Sequence, residues 1–416
     1  MAAYISRLHH ISLHVSNVDK FASDLVSRFK FVLFAARLGE RTRQLAFRKG
    51  SAVFVVNERP NPGPGGLNED LRDGGLRCLY DVSPYYPVDT ACNVCFEVED
   101  VERSFKALHH LGCDFLVPPT TIRDHRGLLT YSVVQSIVGN VCHTLIDRSK
   151  YEGGFLPGFD EEEEGEGACP VTHFDHITYA CPRKTTHQVM RWYERLFGFQ
   201  RFFIDSNEDV DEGYVLNQEG IGLRLTAMEY WKCSRAGLTL PSAHKKEADC
   251  KFVIAESLPE QGRNQVDTFL EQHRGPGIQH IGLYTKDIVS TAQTMAEAGV
   301  RFFSPPPAYY TEVGKQQEIQ EAGHNPQMLA QHGILLDTDL HRDPSAQTGC
   351  GENTRYLLQV FTKPLFTEDT FFLELIERRG ASGFGEGNIR ALWRSVQAYM
   401  ENEEKAALKT VKSAQP

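Results

Sequence analysis

The chain has 416 residues, a formal net charge of −11, 41% hydrophobic residues and 24% charged residues. These values fit an ordinary globular protein of two or three domains, and they argue against a nucleic-acid partner because no basic run offsets the negative charge. No apolar run approaches the roughly 20 residues that span a bilayer.

The first 18 residues contain Arg7 and several serines but no acidic residue. That composition is typical of a mitochondrial transit peptide. Residues 8–15 of the same stretch also predict a β-strand, so cleavage there would cut into the fold. We expect a mitochondrial location, with the cytoplasm as the alternative.

The first half, residues 1–150, contains the same order of elements twice. The first unit reads as a strand, a helix and three strands at residues 8–15, 19–29, 31–34, 44–48 and 52–57. The second reads in the same order at residues 91–98, 101–111, 115–117, 128–134 and 142–147. Each run is a βαβββ unit.

An acidic run at residues 160–167 predicts a linker, which we place at residues 151–170. The pattern then recurs in a second domain, residues 171–400. Strands are predicted at 174–180, 198–204, 213–217, 221–228, 277–284, 356–361 and 371–378, with helices at 186–197, 264–273 and 287–298. The charge-rich tail, residues 401–416, is predicted to be disordered.

Four βαβββ units in two halves predict an α+β protein with the vicinal-oxygen-chelate fold. We expect each domain to form an open, barrel-like sheet with outer helices, and a further helix to begin near Asn388 at the C-terminus. That helix either packs on the core or closes over the site as a lid.

Two histidines occupy equivalent strand positions in the third and fourth units, His176 and His280, and Glu374 lies on a later strand with apolar neighbours. A carboxylate on an apolar face is costly unless it is paired or holds a metal. Two imidazoles and one carboxylate form the ligand set that leaves open positions on non-haem Fe(II). The alternatives are core histidines, or a zinc or nickel isomerase of the glyoxalase type.

The equivalent positions in the first half are His10, Asn93 and Thr144. One imidazole, one amide and one hydroxyl would hold a divalent metal poorly. We therefore assign the first half a structural role without a metal.

The second half carries motifs that resemble the 4-hydroxyphenylpyruvate dioxygenase family. The segments are Gly277-Ile-Gln-His-Ile-Gly-Leu, Tyr356-Leu-Leu-Gln-Val-Phe-Thr-Lys-Pro, Phe371-Phe-Leu-Glu-Leu-Ile-Glu-Arg and Gly383-Phe-Gly-Glu-Gly-Asn. The resemblance implies one Fe(II) per chain at His176, His280 and Glu374, O₂ as cosubstrate, an aromatic 2-oxo acid as substrate, and a homodimer.

The resemblance also implies a substrate pocket, but this chain matches it only in part. The matching positions are Gln265, Gln279, Gln359, Phe361, Phe372 and Phe384. The departures are Gly222 for a serine, Thr239 for an asparagine and Ile389 for a stacking phenylalanine. Ile389 cannot complete an aromatic sandwich around a phenol ring, which removes about 1 kcal/mol of pairing.

These departures resemble those of a family member that hydroxylates the benzylic carbon. We therefore expect oxidative decarboxylation of 4-hydroxyphenylpyruvate to 4-hydroxymandelate. One alternative is homogentisate formation at the same iron. The other is a non-catalytic protein that keeps the fold for binding or regulation, against which the intact ligand set argues.

Overall fold

The computed structural model describes residues 3–39, 42–59, 78–82, 85–161, 170–204, 208–218, 221–230, 250–338, 355–381, 383–385, 387–392 and 395. Thr239 and the predicted tail at residues 401–416 lie outside these ranges. Within them, no helix has the length and apolar character needed to cross a membrane.

The first half folds into a nine-stranded mixed sheet in the order β6-β7-β8-β5-β1-β4-β3-β2-β9. Its strands are β1 (Ile5–Val15), β2 (Val32–Leu38), β3 (Arg43–Lys49), β4 (Ala52–Glu58), β5 (Thr90–Val98), β6 (Phe115–Asp124), β7 (Gly127–Gln135), β8 (Cys142–Asp147) and β9 (Asp160–Glu161). Its helices are α1 (Val18–Ser27) and α2 (Val101–His110).

The second half forms another nine-stranded sheet in the order β11-β13-β14-β10-β15-β18-β17-β16, with β12 also paired to β13. Its strands are β10 (Val171–Cys181), β11 (Phe199–Phe202), β12 (Tyr214–Gln218), β13 (Ile221–Tyr230), β14 (Lys251–Ser257), β15 (Gly277–Thr285), β16 (Leu335–Thr338), β17 (Tyr356–Phe361) and β18 (Phe372–Arg379). Its helices are α3 (Thr186–Phe197), α4 (Gln265–Gln272), α5 (Ile288–Glu297), α6 (Ala308–Thr311), α7 (Val313–Glu321) and α8 (Pro326–His332).

The two sheets share one topology. Each centres on an antiparallel pair made by the first strands of two units, β1 with β5 and β10 with β15. Each of those strands also pairs in parallel with the last strand of its own unit. The repeated βαβββ organisation and the α+β class are therefore confirmed.

Three of the unit helices begin in the same way. The side chains of Asn17, Asp100 and Asp287 each accept a hydrogen bond from a backbone N–H three residues later, which caps the helix that follows a central strand. Each helix then buries one apolar stripe against its sheet.

The structure contains elements that the sequence patterns do not predict. Strand β14 carries the run Phe252–Ala255 beside β10, and α6, α7 and α8 are inserted before β16. Within the predicted linker, β9 pairs with β2. Residues 387–392 are helical, where the C-terminal helix is predicted.

The two halves pack on each other through a shared core. Phe54 of β4 meets Phe174 of β10 edge to face, with ring centroids 5.1 Å apart. Both rings are buried. Burial of such a side chain stabilises the fold by about 1.5–3 kcal/mol, so the contact ties the first half to the strand that carries His176.

Candidate metal centre

His176, His280 and Glu374 converge from three adjacent strands, β10, β15 and β18. Their donor atoms all lie within 4.8 Å of one another. Oε2 of Glu374 is 3.1 Å from Nε2 of His176 and 3.7 Å from Nε2 of His280. One cation between these atoms would contact all three, so the arrangement has the geometry of a metal site.

The sheet register explains the convergence. Gly282 on β15 is the cross-strand partner of His176 on one side and of Glu374 on the other. His280 lies two residues before Gly282 and so shares its face. A β-carbon built on Gly282 would lie only 2.4 Å from Cε1 of His176, so glycine leaves the space that the imidazole fills.

A buried ion pair orients the first imidazole. Nδ1 of His176 lies 2.9 Å from Oδ1 of Asp175. Arg378 in turn donates two hydrogen bonds of 2.7 Å to Asp175, one to each carboxylate oxygen. The carboxylate therefore holds the proton on Nδ1 and directs the Nε2 lone pair toward Glu374 and the metal position.

A hydrogen bond also positions Glu374 through its second carboxylate oxygen, Oε1. Nε2 of Gln359 donates to Oε1 of Glu374 at 2.9 Å, and Nδ2 of Asn388 donates to Oε1 of Gln359 at 2.9 Å. Asn388 belongs to the helical residues 387–392. A chain of hydrogen bonds thus joins the C-terminal helix to the carboxylate of the site.

The charges around the site suit a cation. Burial alone would lower the pKa of His176, but the Glu374 carboxylate and the hydrogen bond that the imidazole donates to Asp175 raise it to about 9. Burial, followed by the neighbouring His176, holds the pKa of His280 well below its usual range. In the absence of a metal, a proton on His176 supplies the positive charge that Glu374 requires.

The donor set fits iron. It offers two ring nitrogens and a carboxylate on one side of the metal position, all on rigid strands, with hydrogen-bonded partners behind His176 and Glu374. The opposite side faces a small cavity. His176, His280 and Glu374 would therefore hold the metal and leave positions for exogenous ligands.

The cavity beside the triad measures about 60 Å³. Most of the pocket residues that the sequence predicts lie in its wall, namely Gln265, Gln279, Gln359, Phe361, Phe384 and Ile389. Phe372 is not in the wall but stacks on His280, with ring centroids 4.7 Å apart. Thr239 lies outside the described residues.

Several cavity residues are not predicted from the sequence. They are apolar side chains of β13 and β14, Leu223, Leu225, Val253 and Ala255, together with Thr178, Ile204, Val266 and Leu392. Strict alternation along β13 would have located Leu223 and Leu225 once that strand was oriented. The same alternation places Gly222 outside the cavity wall, so its replacement of a serine does not remove a group from the wall.

The first half arranges its equivalent residues differently. Asn93 donates to Oγ1 of Thr144 at 2.8 Å, within a buried network that includes Asp81. His10 instead lies with His9 and Cys95, whose donor atoms fall within 4.8 Å of one another. Nη1 of Arg148 is 3.5 Å from Nε2 of His9, and its positive charge opposes a metal cation there.

Comparison with known proteins places the chain in a family. Residues 173–326 match the model of the glyoxalase/bleomycin resistance protein/dioxygenase superfamily. The 4-hydroxyphenylpyruvate dioxygenase-like protein of Rattus norvegicus is 43% identical over 95% of this chain and 98% of its own length. The Homo sapiens protein of the same description is 41% identical over 98% of this chain and 100% of its own.

More distant matches include a sequence relative and a solved structure. A 4-hydroxyphenylpyruvate dioxygenase of Yarrowia lipolytica is 29% identical over 74% of this chain and 72% of its own length. Among solved structures, a mutant of 4-hydroxymandelate synthase from Streptomyces coelicolor superposes with a TM-score of 0.70 at 22% identity, covering 95% of this chain and 99% of that chain. The predicted vicinal-oxygen-chelate fold and the family resemblance are confirmed, and the chain belongs to the 4-hydroxyphenylpyruvate dioxygenase-like family.

Proposed function

We propose that the chain is an Fe(II)-dependent dioxygenase that converts 4-hydroxyphenylpyruvate and O₂ into 4-hydroxymandelate and CO₂. The observation that carries the proposal is the complete ligand set of His176, His280 and Glu374, which faces a largely apolar cavity. A protein that kept the fold only for binding would not need three donor side chains within reach of one ion.

In the proposed reaction one oxygen atom of O₂ enters the carboxylate that remains after CO₂ leaves, and the other becomes the benzylic hydroxyl. The iron would supply coordination positions for O₂ and for the two oxygens of the 2-oxo acid. Gln265 and Gln279 offer amide groups to the substrate from the cavity wall. The leucines of β13 keep water from the reacting carbon.

The position of Ile389 supports benzylic over ring hydroxylation. It lines the cavity together with Phe361 and Phe384, but it offers no aromatic face to a phenol ring. A lost ring contact removes about 0.5–1.5 kcal/mol of positioning energy. We propose that the less restrained ring leaves the benzylic carbon nearest the oxidant. Homogentisate formation at the same iron is the second candidate, favoured by the aromatic residues that remain.

The deciding experiment supplies iron-loaded protein with 4-hydroxyphenylpyruvate and O₂. The two candidate products are isomers, so mass alone does not separate them, and proton NMR is needed. We expect four ring protons and one benzylic proton, as in 4-hydroxymandelate. Three ring protons and a CH₂ signal would establish homogentisate instead. A Glu374→Ala variant should release no CO₂, and iron-loaded wild-type protein that consumes no O₂ would point to the non-catalytic alternative.

The C-terminal helix gives a second prediction. A cavity of about 60 Å³ is below the roughly 300–1,000 Å³ of typical ligand sites, and we propose that residues 387–392 move to admit substrate. Deleting the chain from Ile389 onward should abolish turnover while iron content stays near the wild-type level, because Asn388 and the three ligands remain. Loss of iron together with activity would show that the helix is part of the core rather than a lid.

Mitochondrial localisation and a homodimer stay predictions, the first from the composition of the N-terminal residues and the second from the family. The division into domains, with a linker at residues 151–170, also stays a prediction, and it rests on the acidic composition of that segment. Fractionation of cells that express the full chain, and its mass in solution by light scattering, would test the first two.

A further inference from the structure

A cleft of about 290 Å³ lies between the two halves and shares no lining residue with the cavity at the metal centre. Its walls include residues of β1 to β5 of the first sheet and of β10, β11, β13 and β14 of the second. Three arginines line it, Arg7, Arg48 and Arg148, and the described lining residues include no aspartate or glutamate. The side chains that line the cleft therefore carry positive charge.

Two of these arginines have acids nearby. Nε of Arg7 lies 2.8 Å from Oε2 of Glu97, and Glu161 attracts Arg48 through its charge. Arg148 differs, because its hydrogen bonds go to the carbonyl oxygen of Gly153 at 2.6 Å and to the imidazole of His9, and its guanidinium lies 5.8 Å from the centroid of the Tyr151 ring. Its Nε is buried without a hydrogen-bond partner. Among the described residues, no carboxylate forms an ion pair with Arg148.

Comparison of the two halves shows that the first half lacks the carboxylate that pairs with the equivalent arginine in the second half. Arg148 follows Leu145-Ile-Asp as Arg378 follows Leu375-Ile-Glu, and both arginines come at the end of equivalent strands. Arg378 pairs with Asp175, which lies in a register shift between Phe174 and His176. The matching shift on β1 falls between Leu8 and His10 and contains His9. The first half thus has an imidazole where the second half has the carboxylate.

His9 cannot replace that negative charge. Burial, then the charges of His10, Arg148 and Arg7, hold its pKa well below the usual range, so the ring is neutral at pH 7. Glu97 attracts Arg148 through its charge but forms no ion pair with it in the part of the chain that the structure describes, and a half-buried guanidinium without a paired anion is costly. A ligand that brings a carboxylate would remove this cost.

The rest of the cleft suits a flat apolar body. Aromatic rings line it from both halves, and Phe155 stacks on His9 with centroids 5.7 Å apart and meets Phe34 edge to face at 4.9 Å. Phe199 and Tyr230 face it from the second half. Such walls favour a ring by dispersion and by edge contacts.

We propose that this cleft binds a small aromatic carboxylate, whose carboxylate pairs with Arg148 in the place that Asp175 takes beside Arg378. The ligand lies between the halves, so its binding would strengthen their contact. The inference does not depend on the reaction at the metal centre.

Calorimetric titration of the iron-loaded full chain with phenylacetate, under nitrogen, tests this site. Phenylacetate lacks the 2-oxo group that chelates a metal. We expect a binding event that weakens at least about tenfold in Arg148→Met, because a charge-assisted pair is lost. His9→Asp should weaken it similarly while keeping Arg148, since it supplies the internal carboxylate. Arg123→Met, at an exposed position of β6, is the matched control and should bind as the wild type does.

Each part of the proposal can be contradicted by a separate result. If the wild type shows no binding event, or an event that Arg148→Met leaves unchanged, the cleft does not bind the carboxylate. If Arg148→Met weakens binding but His9→Asp does not, the equivalence with Asp175 is wrong. Benzyl alcohol, which has the same ring without the charge, should bind at least about tenfold more weakly than phenylacetate, and equal affinity would refute the role of the guanidinium.

Discussion

Replacing Gly282 with alanine should weaken iron binding by about ten- to hundredfold, because overpacking a filled site costs about 1–3 kcal/mol. The added β-carbon would lie 2.4 Å from Cε1 and 2.5 Å from Nδ1 of the His176 ring. The ring must then turn away from Glu374, which removes one of three ligands. Titration of the apo-protein with Fe(II) against a competing chelator measures the change.

Gly314→Ala is the matched control. Gly314 lies in α7, and a β-carbon built there meets nothing within 4 Å. That variant should bind iron like the wild type, and it should gain about 0.5–1 kcal/mol in stability because alanine is the better helix former. Unchanged iron affinity in Gly282→Ala would mean that the imidazole does not need this space, and the proposed ligand geometry would then be wrong.

Most of the fold follows from local patterns in the sequence. The central strands β1, β5, β10 and β15 can be predicted because each is an apolar run that is followed by a helix. In three of the four units that helix begins at a capping side chain, Asn17, Asp100 or Asp287. Helix α7 could not be predicted from apolar periodicity, since Ile319 is its single buried residue. With so little apolar periodicity, tertiary packing decides its conformation.

Strand β14 is a different case. Its residues 252–255 are apolar and short enough for a buried strand, but they come shortly after a charged stretch at residues 244–249 that shows no apolar alternation. The sequence pattern therefore does not indicate which strands β14 pairs with. Its position beside β10 becomes clear only from the parallel pairing of His176 with Lys251 and of the residues that follow.

The candidate ligands could be predicted because they occupy equivalent places in successive repeats. Their supporting residues could not, because Asp175 and Arg378 are 203 positions apart in the chain and meet only through the sheet register. Gly282 carries no chemical group that marks it. The contribution of Asn388 is equally hidden, since it reaches Glu374 through Gln359.

The repeat also shows how one half differs from the other in physical terms. Asp175 and Arg378 form a closed pair behind a ligand histidine, whereas His9 and Arg148 leave a positive charge open to a cleft. Cys95, opposite His10 on β5, stands where Gly282 stands opposite His176. Differences at matched positions therefore separate the proposed metal centre from the proposed carboxylate site.

Asp175→Asn should weaken Fe(II) binding by about ten- to hundredfold, the usual effect of removing the carboxylate behind a ligand histidine. The amide keeps the shape but loses the charge that fixes the proton on Nδ1 of His176, and it leaves Arg378 without its bidentate partner. Burial alone would raise the pKa of Asp175, but Arg378 and then His176 hold it well below the usual range. The wild-type carboxylate is therefore ionised throughout the neutral pH range.

Asp89→Asn separates this effect from a loss of stability. Oδ1 of Asp89 lies 2.9 Å from Nη2 of Arg59, in a largely buried pair in the first half. Breaking either pair should lower the thermal midpoint, but only Asp175→Asn should change the iron dissociation constant. Equal iron affinity in the two variants would show that the Arg378–Asp175 pair supports the sheet alone, and that the orientation of His176 is set by its packing against Phe384, 5.2 Å away between ring centroids.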